Sequence, residues 1–88
     1  MQIISMKMLS GEELIAELNQ ETETHLNVAR PRVLRLMENG AGLMPYFISS
    51  PSRMENNIRK DLIVCWFNAD DEIAKSYLQT VTSFQLLS

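Results

Sequence analysis

Apolar and polar positions alternate with a period of two over most of the first two-thirds of the chain, the spacing of half-buried strands. From Gln2 to Leu9, Ile4, Met6 and Met8 fall on one side and Ser5 and Lys7 on the other. Ser10-Gly11 is a turn signal. Glu13 to Gln20 alternates again, with Leu14, Ala16 and Leu18 inward and Ile15, Glu17 and Asn19 outward. Two such runs about a short glycine turn predict a hairpin. Gln20–Thr24 supplies a second bend, and Leu26 and Val28 open a third strand, which Pro31 interrupts and Val33 to Met37 resume. Proline has no N–H for the ladder, so Pro31 is expected at a bulge or an edge. Glu38 to Gly42 is a turn around Asn39-Gly40, a dipeptide preferred where two residues take positive φ. Leu43 to Ser49 predicts a fourth strand, partly an edge because of Pro45, and Ser50-Pro51-Ser52 breaks it. Ile58, then Leu62 to Phe67, make the last strand. Its unbroken apolar run predicts burial on both faces, with Cys65 in the core.

Asn68 to Glu72 changes the period. An Asn or Asp cap followed by acids is how a helix begins. Ile73, Tyr77 and Val81 then recur at i, i+4 and i+8, with Ala74 and Leu78 beside them, giving one apolar helical face. The pattern predicts five short antiparallel strands over about 2–67 and a C-terminal helix over about 69–82.

Length and composition narrow the class. The 88 residues make a single domain, 1–88. A chain this short buries only roughly 60–65% of its unfolded surface, so partner subunits would matter to its stability. Apolar residues are 45% of the chain and charged residues 22%, which excludes a disordered protein. The longest apolar run is Leu62–Phe67, far short of the ~20 residues of a membrane helix. The N-terminal segment has no basic start, apolar stretch or small-residue cleavage site, and the lone Cys65 cannot form an internal disulfide. The expectation is a cytoplasmic, reducing compartment without membrane attachment.

The net charge of −3 conceals a partition. Glu12, Glu13, Glu17, Glu21 and Glu23 lie in a stretch without Lys or Arg. Arg30, Arg32, Arg35, Arg53, Arg59 and Lys60 follow against only Glu38 and Glu55. Either a mixed solvated surface or two opposed faces, one suited to a polyanion, would account for this.

Enzyme chemistry finds no support, and the chain reads as a non-enzyme without metal or cofactor. The only histidine, His25, has no Cys or Ser placed near it as a nucleophile. Glu21, Glu23 and His25 alternate, but three loosely spaced ligands are a weak metal signal. Asp70, Asp71 and Glu72 lack the glycine and spacing of a calcium loop. No Gly-rich phosphate loop leads from a strand into a helix.

Two short segments carry more. One is Gly11-x-x-Leu14-x-x-x-Leu18 followed by Glu23-Thr-His-Leu-Asn-Val28; the other is Ile58-Arg-Lys-Asp-Leu-Ile63. In order, separation and strand context these resemble the two sequence motifs of the Sm-like family. Glu23 stands at the Asp position of the first motif, His25 at its stacking position and Asn27 at its Asn position. Ile58, Arg59 and Asp61 match the second motif, and Lys60 replaces its glycine. The resemblance spans roughly residues 6–67. It is nearest to a divergent group of small phage-encoded Sm-like proteins, which share Gly11–Ile15, Arg30–Val33, Gly42–Phe47 and an acidic-start helix ending near Tyr77. The chain departs from the family in starting with a strand rather than a helix. One extra residue lies between Leu18 and Glu23, and the segment between the motifs is long and carries three prolines.

The resemblance implies a small, strongly bent five-stranded antiparallel barrel of the Sm-like, SH3-like kind. The helix would pack across one end, with Ile73, Tyr77 and Val81 sealing it. An OB barrel is the rival, but it usually carries its helix between strands. The implied function is a subunit of a cyclic homo-oligomer, closed by pairing the fourth strand of one copy with the last strand of the next. Such rings bind single-stranded, uridine-rich RNA, and the implied site is His25, Asn27, Arg59, Lys60 and Asp61. An unstacked base needs a flat partner on each face and a hydrogen-bonding group at its edge. His25 and the Arg59 guanidinium supply the faces, Asn27 a donor and an acceptor, and Lys60 a phosphate contact. Duplex DNA is not an expected partner, and the compartment would be the host cytoplasm if the protein is phage-encoded. Two other accounts stand beside this one. In the first, Asn27 closes a turn, His25 lies on a wet strand end and Arg59 pairs with Asp61 or Glu23. In the second, the ring is an oligomeric scaffold or protein-interaction module that has lost RNA binding.

Overall fold

The computed structural model describes residues 1–47 and 55–87, and within the helix side chains as far as residue 82. Six strands are followed by one helix: β1 Gln2–Met8, β2 Glu13–Glu21, β3 His25–Met37, β4 Gly40–Pro45, β5 Glu55–Arg59, β6 Ile63–Asn68 and α1 Asp71–Leu87. They form one antiparallel sheet in the order β4-β3-β2-β1-β6, with β5 also on β3. The expected five strands are therefore six, because a short 3-10 turn at Lys60–Leu62 divides the predicted last strand in two. That turn carries the chain from the edge of β3 to the edge of β1. The sheet is open: among the described residues β6 pairs only with β1, and β4 and β5 only with β3. The predicted fourth strand began at Leu43, whereas β4 begins at Gly40; its predicted end at 48–49 lies outside the described residues.

The proline in β3 explains how one strand serves two partners. His25 to Ala29 pair with β5, and Arg32 to Met37 pair with β4. The changeover falls at Arg30, whose φ is 49°, and at Pro31, which has no N–H to give either neighbour. The Pro31 carbonyl still accepts a hydrogen bond from the Tyr46 N–H at 3.1 Å. The β3–β4 turn differs in detail from expectation. Gly40 alone takes positive φ, 118°, and Asn39 does not. This backbone region is nearly closed to side chains, whereas a methyl at Gly42 would meet only the flexible end of the half-exposed Met37. Gly40→Ala is thus expected to cost about 1–3 kcal/mol, and Gly42→Ala less than about 1 kcal/mol as Met37 swings aside. Chemical denaturation of the two variants checks the order.

Apolar side chains leave the sheet on both faces, so there are two cores. The inner face holds Ile4, Met6, Met8, Leu14, Ala16, Leu26, Val28, Val33 and Ile63, with Leu18, Tyr46, Ile58 and Trp66 against them. The strand alternation predicted the inward sides of β1 and β2. The outer face holds Ile3 and Ile15, and α1 covers them with Tyr77 and Val81. Ile15, expected outward, does point outward and is nonetheless fully buried. Rather than sealing one end, the helix lies across the face opposite the main core. Its start is as the acids predicted: the Ala74 N–H donates to the Asp70 carbonyl, and Asp71 and Glu72 occupy the positive end of the helix dipole. It runs on to Leu87, past the predicted end near residue 82.

The run Leu62–Phe67 is corrected as well. Only Ile63 is buried and Trp66 is half-buried; Leu62, Val64, Cys65 and Phe67 are exposed. Cys65 is therefore no core residue. The reason is topological: β6 is an edge strand, and a continuous apolar run finds cover on both faces only inside a sheet. No helix of the described chain is long and apolar enough to cross a membrane.

Candidate functional site

The two motif segments meet at one end of the sheet. Thr22 and His25 close the β2–β3 turn: the Thr22 N–H donates to the His25 carbonyl at 2.9 Å, and the His25 N–H to Thr22 Oγ1 at 3.0 Å. The Lys60 N–H donates to the Thr24 carbonyl at 2.8 Å, pinning the end of β5 against that turn. In the ladder His25 stands directly opposite Arg59, and Asn27 opposite Asn57. Leu26 and Val28 point into the core, so His25 and Asn27 share the other face with Arg59 and Asn57. Three of the five predicted site residues thus form one polar patch. Thr24 Oγ1 and His25 Nδ1 are hydrogen-bonded, 2.7 Å apart, which orients the ring.

The charged members are engaged within the chain. Arg59 Nη2 donates to Asp61 Oδ2, one of the two carboxylates, with Glu23, expected to pair with it if it serves no base. Both side chains are well exposed, so this bond steers the guanidinium more than it stabilises the fold. Lys60 Nζ donates to Glu21 Oε2 at 2.6 Å and lies 5.5 Å from the centre of the Trp66 ring. A phosphate would have to compete with that carboxylate for the lysine. Glu23, at the Asp position of the first motif, is exposed in the turn.

The charge partition along the chain does not become a partition in space. β2 carries Glu13, Glu17 and Glu21, β3 carries Arg30, Arg32 and Arg35, and the two strands are neighbours. Glu17 therefore receives Arg30 Nη2 at 2.9 Å in a mostly buried pair, while Glu21 takes Lys60 and Glu13 stands opposite Lys7. Tertiary pairing thus sets Glu17 and Glu21 of the acidic run against Arg30 and Lys60 of the basic run.

The patch also contains residues that sequence reasoning passed over. Asn19 Nδ2 donates to Asn27 Oδ1 at 3.2 Å and to Glu55 Oε1 at 3.3 Å, and Asn27 Nδ2 donates to Asn57 Oδ1 at 2.9 Å. Asn27 is thus the middle of an amide chain crossing β2, β3 and β5. Asparagine is depleted in strands, so Asn19 inside a predicted strand was the signal available; Asn57 falls in a strand only because β5 begins at Glu55, ahead of the predicted start at Ile58. Among the described residues no three His, Cys, Asp or Glu side chains come together as a metal site. No protein-family model matches the chain, and no curated protein matches its sequence.

Proposed function

We propose that this chain is a subunit of an Sm-like ring that binds single-stranded, uridine-rich RNA at the patch of His25, Asn27 and Arg59. The observation that carries the reading is the register of β3 and β5, which sets His25 opposite Arg59 with Asn27 on the same face. A flat imidazole, a flat guanidinium and an amide on one surface are the groups that an unstacked base requires. The bent, open sheet is compatible with a small barrel whose ring closes through its edges. β4 and β6 contain no charged residue, and among the described residues their outer edges are unpaired; natural sheets seldom leave such edges bare. β4 of one copy pairs with β6 of the next, a head-to-tail contact that closes into a cycle.

The test joins two measurements. Native mass spectrometry should show a cyclic oligomer, and anisotropy of labelled oligouridine at about 50 mM salt should show binding that weakens as salt rises. Duplex DNA should not bind. A single-chain particle removes the ring, and an intact ring silent to oligouridine removes the RNA site. The latter result leaves the scaffold reading, which the internal pairing of Arg59 with Asp61 and Lys60 with Glu21 favours.

A further inference from the structure

We propose that Glu55 is a specificity-determining residue, which sets the polarity of the Asn19–Asn27–Asn57 amide chain and thereby which base Asn27 accepts. The inference rests on the RNA reading of the patch and adds a residue outside both sequence motifs. An asparagine amide presents an acceptor on one side and donors on the other, and a chain of amides can run in either direction. An ionised carboxylate breaks that symmetry because it only accepts. Glu55 Oε1 draws the Asn19 NH2 group toward itself, and the same NH2 group donates to Asn27 Oδ1. The Asn27 carbonyl therefore faces β2, and its NH2 group faces β5, where it donates to Asn57 Oδ1. Asn27 retains one lone pair and one N–H for a ligand, on sides fixed relative to His25 and Arg59.

Fixed polarity matters because uracil and cytosine differ by it. At the two neighbouring positions of the pairing edge uracil offers a donor and an acceptor where cytosine offers an acceptor and a donor. For a base held in one orientation by stacking, one amide polarity complements uracil and the reverse complements cytosine. A chain free to reverse would accept both.

The experiment compares oligouridine with oligocytidine of equal length on the intact oligomer. The wild type should prefer uridine by about tenfold, near the lower end of what a good base-edge contact supplies. Glu55→Gln, which can donate as well as accept, should reduce the preference to below about threefold. Asn19→Ala, which cuts the chain without removing the charge, should do the same. The double variant should match either single one, because both act through one path. A preference that Glu55→Gln leaves intact overturns the proposal. So does a Glu55→Gln effect that persists in the Asn19→Ala background, since the carboxylate would then act directly. If the wild type binds no RNA, the functional reading fails, and side-chain amide exchange measured by NMR still decides the relay. Asn27 NH2 protons exchanging several-fold more slowly in the wild type than in Glu55→Gln support it, and equal rates overturn it.

Discussion

Replacing Tyr77 with alanine is expected to cost about 3–5 kcal/mol, the range for removing a large buried aromatic side chain. The ring is fully buried and forms the outer core with Ile3, Ile15 and Val81. Its hydroxyl donates toward the Arg30 carbonyl at 2.9 Å and the Ala29 carbonyl at 3.2 Å, so the helix is tied to β3 at its change of partner. Small domains hold about 5–15 kcal/mol in total, so the variant should unfold at a much lower denaturant concentration. Tyr77→Phe keeps the packing and loses only the hydroxyl, for about 0.5–1.5 kcal/mol. The pair separates packing from hydrogen bonding. An unchanged transition in Tyr77→Ala would show that the helix does not dock on this face.

The same hydroxyl is expected to make stability fall at alkaline pH. Burial pushes the Tyr77 phenol up to about 12, against the opposing pull of the neighbouring Arg30. The folded value lies above the unfolded one of about 10, so the protonated phenol favours the fold. That contribution is complete below about pH 10 and is lost as pH rises from there through about 12. Tyr77→Phe should flatten the fall in stability over this window, as read by denaturation at a series of alkaline pH values.

If the proposed RNA-binding ring is right, replacing His25 with alanine abolishes detectable oligouridine binding while leaving the oligomeric state unchanged. Stacking contributes roughly 1–3 kcal/mol per base. A ring loses every copy at once, and the gain from several linked pockets collapses with it. Because His25 lies on the face opposite Leu26 and Val28, its removal leaves the main core untouched. His25→Phe should restore part of the binding, since a flat ring returns without the imidazole nitrogens. Anisotropy titrations beside native mass spectra decide it, and undiminished binding by His25→Ala would place the RNA site elsewhere.

Some of this architecture was legible in residue order alone. The alternation of Ile4, Met6, Met8, Leu14 and Ala16 identified the inner core. Gly11 marked the first hairpin, and Asp71 and Glu72 marked the start of α1. Each is a local signal, a side-chain period or a backbone conformation, that a few neighbouring residues settle among themselves. The motif positions also led to His25, Asn27 and Arg59, although only the β3–β5 register shows that they share one face.

What tertiary structure decided is what covers each face and which distant side chains meet. Periodicity places Ile3 and Ile15 on the outer side of the hairpin, but only the docking of α1 makes that side a second core. The apolar run around Cys65 would be buried inside a sheet and is exposed because β6 lies at an edge. The acids of β2 read as a like-charge block until β3 and the end of β5 bring Arg30 and Lys60 against them. The amide chain through Asn19, Asn27, Asn57 and Glu55 exists only because three strands lie side by side. Sequence specifies which residues of a single strand or helix share a face; long-range pairing determines what that face meets, through contacts between residues that chain order keeps apart.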